Sequence, residues 1–387
     1  WRISEEEFFG KREWLNSLKL RASYGAVGNS AIDPYQTIAG LSKYDYLFGE
    51  DAGNKFFAYR PSMIPNKDLG WEISRTANFG VDFGLWNNRI SGYIEGYITK
   101  TSDLLMERTL PFFTGFSKVW QNIGKTENKG IELNIQANTL KTKSFSWETT
   151  VTFARNWNKI TELLGGGDIR NNSWFIGKPL QVHYNYEMIG VWQLGEEKEA
   201  QKYGAIPGDI KVKDQNNDGS IGELDKVILG QKDPKIIASL LNSFRFGAFD
   251  ASINLNMNFG SLIHPNTYAS LITRDGLRWM PSNFKYWTPD NPTNEYTRAD
   301  KLSGYDPFAG TGGYMKGDYI KIQDITLGYD FSKIMPKNWK ILRAGLYAQV
   351  RNLGYIYKAC KNDVSPEAPD IDYNIPTTYT MGINIDF

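Results

Sequence analysis

Residues 77–98 read ANFGVDFGLWNNRISGYIEGYI, and this stretch decides the fold class of the chain. In its first half every second residue is apolar and the residues between them are polar or glycine; the apolar set is Ala77, Phe79, Val81, Phe83 and Leu85. Alternation with a period of two puts the two sets on opposite faces of a β-strand. After an Asn87-Asn88 turn, apolar positions resume at Ile90, Ile94 and Ile98. The stretch therefore predicts a β-hairpin with one apolar face.

Alternating segments of this kind recur about ten times, and the connections between them alternate in length. The segments lie near residues 18–24, 77–85, 90–98, 131–137, 145–153, 244–246, 251–259, 325–329, 342–350 and 379–387. Short connections fall near 86–89, 140–144, 247–250 and 332–339, and long ones near 27–70, 104–125, 158–235, 261–317 and 353–375. Because every second connection of an up-and-down meander lies at the same end, all the long connections are expected at one end. A change of parity after Ile322 also predicts a bulge near Gln323 and Asp324.

The composition argues against several other classes of protein. The chain has 387 residues with a net charge of +1, one cysteine and two histidines, and 14% of its residues are aromatic. The aromatic content argues against disorder, the near-neutral charge against a nucleic-acid partner, and the scarcity of Cys and His against a disulfide framework or a zinc site. Since no run of eighteen apolar residues occurs, any membrane span would have to be made of strands.

Alternation is also typical of soluble sandwiches, jelly rolls and propellers, in which one face of a sheet packs against a core. Here the polar faces are rich in Asn, Ser, Thr, Gln and Gly, and loops longer than about fifteen residues are rare in compact domains. These features favour an all-β, antiparallel transmembrane barrel of the outer-membrane type, with short periplasmic turns and long extracellular loops. Counting strands backward from Phe387 then puts the C-terminus in the periplasm.

Several stretches resemble the SusC/RagA type of TonB-linked outer-membrane transporters of the Bacteroidetes. They include residues 18–29 (LKLRASYGAVGN), 66–105, 110–135, 207–230 (PGDIKVKDQNNDGSIGELDKVILG), 287–299 (WTPDNPTNEYTRA) and 317–331 (GDYIKIQDITLGYDF). The resemblance implies that residues 1–387 are the C-terminal part, about ten strands, of a 22-stranded barrel, and that the plug domain and TonB box belong upstream of this chain. It also implies that Phe387 is the signal read by the outer-membrane assembly machinery.

The function implied by the resemblance is TonB-dependent import of oligosaccharides or peptides across the outer membrane. Its implied partners are a SusD-like surface lipoprotein that acts as a lid, the TonB system acting through the missing N-terminal part, and the surrounding outer-membrane lipid. A non-transporting surface scaffold for adhesion or carbohydrate binding is the alternative. An enzyme is not expected, because G-x-S-x-G, H-E-x-x-H and phosphate-loop motifs are absent and two histidines offer few general bases.

One local motif predicts a structural calcium site in a long connection. Residues 214–225 read DQNNDGSIGELD and follow the D-x-[DN]-x-[DN]-G pattern of a calcium loop. Oxygen ligands at positions 1, 3 and 5, the carbonyl at position 7 and a carboxylate at position 12 would converge on a hard cation. The predicted Ca²⁺ ligands are Asp214, Asn216, Asp218, Ser220 and Asp225. Position 12 is Asp rather than Glu, and because its side chain is shorter, Glu223 is an alternative ligand. An Asx-rich turn without metal is the alternative to the whole site, because Asp, Asn and Gly favour turns by themselves.

Aromatic residues in the long connections are candidates for substrate binding. Flat rings stack on sugar faces and grip peptide side chains, and Tyr and Trp are enriched where protein surfaces recognise partners. From these residues we select Trp174, Tyr184 and Trp287. The alternative is that such rings pack the large loops together or form an interfacial girdle.

Overall fold

The computed structural model describes residues 1–10, 12–30, 37–38, 40–47, 55–272, 284–298, 308, 310–336, 341–361, 364–369 and 375–386. Within them, ten strands form one antiparallel sheet in which each strand pairs with the next along the chain. The strands are β1 (Leu15–Asn29), β2 (Glu72–Leu85), β3 (Ile90–Ser102), β4 (Lys125–Lys141), β5 (Phe145–Glu162), β6 (Ile236–Phe246), β7 (Phe249–Phe259), β8 (Tyr319–Asp330), β9 (Arg343–Lys358) and β10 (Thr378–Asp386). The predicted all-β meander is therefore confirmed as a partial barrel wall.

The connections divide the sheet into two ends. Residues 86–89, 142–144, 247–248 and 331–342 make short links at one end, which we call the turn end. Residues 30–71, 103–124, 163–235, 260–318 and 359–377 make long links at the other, the loop end. The first turn contains Trp86, Asn87 and Asn88 with φ of 49°, 55° and 58°. Asn tolerates this left-handed region well, which explains why the two asparagines mark the hairpin.

The first face of the sheet is apolar and is covered by no other layer of the described chain. In register across nine strands, one row of this face consists of Leu20, Val81, Ile94, Leu133, Phe153, Ala238, Met257, Ile320 and Tyr357. Side chains on this face remain exposed: Phe79 is 55%, Leu327 58% and Met381 76% exposed. The apolar rows therefore do not meet one another across a dry core, which is the arrangement that a soluble sandwich would require.

The second face is polar. A neighbouring row in the same register consists of Lys19, Asp82, Tyr93, Asn134, Thr152, Ser239, Asn256, Lys321 and Tyr355. The predicted bulge lies where expected, since the pairing passes from Ile322 directly to Asp324 and omits Gln323. Because one residue is skipped, Ile320 and Ile325 reach the same apolar face despite their opposite parity.

Smaller elements lie outside the ten-stranded sheet. Further strands are Leu41–Leu47 with Lys55–Pro61, Leu105–Thr109 with Lys118–Asn122, Val182–Tyr186 with Lys226–Gln231, Met188–Val191 with Ile210–Val212, and Leu262–Ile263 with Met315–Lys316. The α-helices are Glu197–Lys202 and Asn266–Ile272, and short 3-10 turns are Ile3–Glu5, Glu7–Phe9, Phe112–Thr114, Leu164–Gly166, Arg170–Asn172, Glu223–Asp225 and Ser332–Ile334. A search of the described residues finds no helix with the length and apolarity needed to cross a membrane.

Candidate functional site

The polar face is a wall of side chains that hydrogen-bond one another across strands. Thr76 and Thr99 pair through their hydroxyls at 2.9 Å, and Thr152 pairs with Ser239 at 2.6 Å. The amides on β7 donate to residues on β8: Asn254 to Asp324 (3.1 Å), Asn256 to Gln323 (3.3 Å) and Asn258 to Tyr319 (2.8 Å). Such cross-strand pairs stabilise the sheet and hold a regular array of hydroxyls, amides and carboxylates along its polar face.

Four charged side chains on the polar face form an ion-pair cluster. Arg21 on β1 reaches Asp82 at 2.8 Å and Glu95 at 3.1 Å, and Lys19 lies 3.4 Å from Asp82. These side chains are between 17% and 45% exposed, so they can exchange a neighbour for a charged or hydroxylated ligand without first leaving a dry interior.

A second ion pair brings the last long connection back onto the wall. Lys321 is only 3% exposed, and its Nζ lies 2.6 Å from Oε2 of Glu367, a residue of that connection. The hydroxyl of Tyr355 donates to the same Oε2 at 2.9 Å, and that of Tyr319 donates to Oε1 at 3.3 Å. A buried cation needs such compensation, so Glu367 fixes residues 364–369 against β8 and β9.

The connection after β5 folds into a unit that we call the loop module, residues 182–231. It contains two small two-stranded sheets and a core in which Trp192, 4% exposed, stacks on Tyr203 at 6.0 Å and packs with Ala200. Lys211 lies 4.3 Å above the Trp192 ring and 2.7 Å from Glu196. The hydrogen bond from Lys211 holds the pKa of Glu196 below its usual value. The module therefore has its own apolar and ionic support.

The connection after β7 joins the loop module through Trp287. Its indole N–H donates to Oε1 of Gln193 at 2.9 Å, and Arg298 pairs with Asp209 at 3.0 Å. Trp287 is 7% exposed, so its ring packs between the two connections and leaves little face open to a ligand. Its assignment to substrate binding stays a prediction.

The other two aromatic candidates lie in the connection after β5. Tyr184 is half-buried, accepts a hydrogen bond from Arg170 at 2.9 Å and contacts the Phe175 ring at 4.7 Å. Trp174 is half-buried in the bridge that it forms with Ile169. Phe387, the predicted assembly signal, lies outside the described residues.

The predicted calcium loop is held in shape by its own hydrogen bonds. Asp214 accepts from the backbone N–H groups of Asn217 at 2.6 Å and Gly219 at 2.9 Å. Asp218 accepts from the N–H and the hydroxyl of Ser220, both at 2.8 Å, and these bonds lower the pKa of Asp218. Gly219 has a φ of 85°, so position 6 makes the sharp turn expected of a calcium loop.

The remaining predicted ligands also serve the backbone or their neighbours. Asp225 is 1% exposed and accepts from the N–H groups of Gln215 and Gly222, both at 2.8 Å. Asn216 donates to Asp218 at 2.8 Å. Across the described ranges, no three His, Cys, Asp or Glu side chains lie close enough together to hold a metal ion. Carboxylate oxygens at Asp214 and Asp218 retain free lone pairs, and calcium binding stays a prediction.

The two histidines of the chain lie close together, which the sequence did not indicate. The ring centroids of His183 and His264 are 6.4 Å apart, and the Tyr314 ring lies 5.1 Å from the first and 4.3 Å from the second. Nε2 of His183 is hydrogen-bonded to the carbonyl of Leu262 at 2.9 Å. Burial raises the pKa of Tyr314. Since the three residues come from two long connections, only the packing of those connections brings them together.

Comparison with known proteins agrees with this architecture. The family model described as TonB dependent receptor-like, beta-barrel matches residues 12–353. The chain is 29% identical over 424 residues to TonB-dependent receptor P26 of Formosa agariphila, covering 100% of this chain and 41% of that protein. It is 28% identical over 411 residues to the TonB-dependent receptor SusC of Bacteroides thetaiotaomicron, covering 100% of this chain and 39% of SusC.

A solved structure with the same fold is the RagAB peptide transporter, with a TM-score of 0.80 at 23% identity over 100% of this chain and 42% of that one. The chain spans about two fifths of the length of the curated relatives it matches. These relatives are named as receptors and transporters. Since the family model covers most of the sequence, the chain belongs to the TonB-dependent receptor-like β-barrel family of outer-membrane proteins, as its resemblance to SusC and RagA implies.

Proposed function

We propose that this chain is the C-terminal barrel part of a TonB-dependent importer that takes up oligosaccharides or peptides through the outer membrane. The observation that carries the proposal is the division of the sheet into an uncovered apolar face and a hydrogen-bonded polar face. An apolar face of this extent needs lipid around it, and the opposite face then lines a wet interior. The long connections are extracellular in this proposal, and the turn end and the C-terminus are periplasmic.

The polar face supplies the chemistry for cargo. Its hydroxyls and amides can exchange cross-strand hydrogen bonds for bonds to sugar hydroxyls or peptide groups, and its paired charges can meet charged side chains or chain ends. Each such contact replaces an existing one, so each would contribute little free energy of binding. The affinity for cargo would come from many such contacts over a large surface. RagAB, which shares the fold, is a peptide transporter, and this supports peptides as one cargo class.

The loop end is where we expect a SusD-like lipoprotein to close over bound cargo. Support comes from RagAB, whose structures in states called open-open and closed-closed match this chain with TM-scores of 0.74 and 0.76. The loop module and the Trp287 segment are tied to each other, so they would present one stiff surface to such a lid. TonB would act through parts of the protein beyond the two fifths that this chain matches.

Uptake by whole cells tests the importer. Labelled peptides and labelled oligosaccharides are given to cells that carry the full-length protein, with and without the TonB system. We expect uptake of one cargo class, lost when TonB or the lipoprotein gene is deleted. Uptake that does not depend on TonB would refute the proposal, and surface binding without uptake would favour the scaffold.

Cysteine labelling tests the orientation. The native Cys360 is 4% exposed, so its background reaction with a maleimide is low. Leu224→Cys puts a thiol at a 72% exposed position of a long connection, and Lys143→Cys puts one in a short turn. A membrane-impermeant maleimide should label the first variant on intact cells and the second only after permeabilisation. The reverse pattern would refute the proposed orientation.

For residues 214–225 we propose a calcium ion that stiffens the loop module, supported by the turn at Gly219 and the carboxylates at positions 1 and 5. Calcium titration of the full-length protein should protect residues 206–230 from hydrogen exchange. Asp214→Ala with Asp218→Ala should loosen the segment and remove the calcium effect. No change in exchange at millimolar calcium would refute the proposal.

A further inference from the structure

Five exposed cations lie together on the apolar face, between its apolar rows and the loop end of the sheet. One row, in register across four strands, runs Arg75, Lys100, Glu127, Lys159. The rows below it add Lys129, paired with Ile98 and Trp157, and Arg155, paired with Ile131. All five cationic side chains share the parity of Phe79, Ile98 and Ile131 and are exposed. We call Arg75, Lys100, Lys129, Arg155 and Lys159 the basic patch.

The basic patch is poorly compensated by the chain itself. Glu127 is the acid of the group, and it is shared by Lys129 at 3.1 Å and Lys159 at 3.2 Å. Arg75, Lys100 and Arg155 form no ion pair with an acidic side chain among the described residues. On the polar face, by contrast, Arg21 has two acidic partners. Like charges on adjacent strands repel, so the patch favours an external anion.

Two contiguous grooves accompany the basic patch. The lower is apolar, has a volume of about 510 Å³ and is lined by Ala77, Phe79, Gly96, Ile98, Ile131 and Trp157 among others. Its floor lies at Gly96, where an added Cβ would meet nothing closer than the Gly130 carbonyl oxygen at 3.7 Å. The upper groove, about 720 Å³, includes Arg75, Lys100 and Glu127 and shares Ala77 and Ile98 with the lower one. An acyl chain and an anionic head fit this order of grooves.

Trp157 lines the lower groove beside two cations of the basic patch. The Arg155 guanidinium lies 4.7 Å from the Trp157 ring centroid, a cation–π contact that holds the cation beside the groove. Tryptophans at this level mark the boundary between hydrocarbon and head groups in membrane barrels. With Trp157 at that boundary, the cations of the basic patch would lie level with the lipid phosphates.

We propose that the basic patch and the groove beneath it bind a phosphorylated glycolipid of the outer leaflet, with its phosphates on Arg75, Lys100 and their neighbours and an acyl chain over Gly96. The proposal rests on the orientation given above, in which the loop end is extracellular. A zwitterionic phospholipid carries its own cation and gains less from five positive groups. The site takes an amphiphile with more than one phosphate.

The test uses the full-length protein, delipidated in detergent and titrated with bis-phosphorylated lipid A by native mass spectrometry. Arg75→Gln with Lys100→Gln removes two unpaired cations and leaves the ion pairs of Glu127 intact. Lys141→Gln with Lys143→Gln is the control, with the same charge loss at the turn end. We expect lipid A to bind the Arg75/Lys100 variant about fivefold more weakly, because two exposed ionic contacts of about 0.5 kcal/mol each are lost. The Lys141/Lys143 variant should bind lipid A as the wild type does.

Two further arms keep the result specific. Gly96→Val should fill the groove and weaken binding of acylated lipid A, and lipid A stripped of its phosphates should bind the wild type no better than it binds the basic-patch variant. Equal binding by wild type and basic-patch variant, equal loss in the control, or equal competition by phosphatidylglycerol would overturn the proposal. Cargo uptake by the same variants is measured separately. If the wild type shows no TonB-dependent uptake, the proposed function fails, and the lipid titration still tests the lipid site.

Discussion

A lysine in place of Leu133 tests directly which face of the sheet meets lipid. Leu133 is the middle residue of β4 and lies in register between Ile94 and Phe153 on the apolar face. A lysine at the midplane of a membrane barrel, facing lipid, costs about 2–4 kcal/mol, which is about a 30- to 1000-fold loss in the folding equilibrium. The adjacent Asn134 lies between Tyr93 and Thr152 on the polar face. A lysine there stays hydrated and should cost less than about 0.5 kcal/mol.

The measurement is urea unfolding of the full-length protein in phospholipid vesicles, followed by its heat-modifiable mobility on gels. Leu133→Met is the control for lost packing and should cost less than about 1.5 kcal/mol. Leu133→Lys should lower the urea midpoint strongly, and Asn134→Lys should leave it near that of the wild type. Equal destabilisation by the two lysines, or a larger effect at Asn134, would refute the assignment of the two faces.

Three further perturbations follow from single contacts. Glu367→Gln leaves Lys321 buried without its counter-charge, at a cost of up to about 3–5 kcal/mol. Hydrogen exchange of residues 364–369 should therefore rise. Adding Lys321→Met removes the unpaired charge and should restore the protection. Gly130→Ala puts a Cβ against the Tyr97 ring and should destabilise the protein by about 1–3 kcal/mol in urea unfolding. Gly96→Ala, whose Cβ would lie 3.7 Å from its nearest neighbour, should not. The hydrogen bond from Lys211 lowers the pKa of Glu196 in the folded loop module, so ionised Glu196 stabilises the module. This stabilisation is complete above the unfolded pKa of about 4.3 and is lost as the pH falls through the folded pKa. Exchange of 182–231, corrected for the intrinsic rate, should therefore rise below about pH 4.3 in the wild type, and an equal rise in Glu196→Gln would contradict this cause.

Strand identity and face could be read from the sequence because a strand with one apolar face repeats every two residues. The skipped residue Gln323 shows the strength of this signal, since the parity change alone located the bulge. Strand ends could not be read in the same way. Alternation marks 18–24 in the first strand, yet the strand runs from Leu15 to Asn29, because pairing with Glu72–Leu85 extends it beyond the apolar part. Backbone hydrogen bonds, which carry no side-chain pattern, set those ends.

The loop residues were less predictable, since their surroundings depend on contacts between distant parts of the chain. Trp287 was selected as a candidate for substrate binding, which stays a prediction, and its hydrogen bond to Gln193 of another connection could not be read from local pattern. His183 and His264 come from different connections and share a ring cluster for the same reason. Composition and local pattern contain no information about which loops dock. The sharp turn of the motif at 214–225 could be predicted, because Asp and Gly encode it locally.

A net charge of +1 conceals two opposite arrangements of charge, and the register of the sheet separates them. On the polar face Lys19, Arg21 and Lys321 each lie beside an acidic side chain. On the opposite face the basic patch shares one carboxylate, Glu127. In the importer proposed above, balanced charges on the inner face would let cargo pass on, whereas unbalanced charges on the outer face would favour a lasting contact with lipid. The difference between the faces is therefore a difference in how long each should hold its ligand.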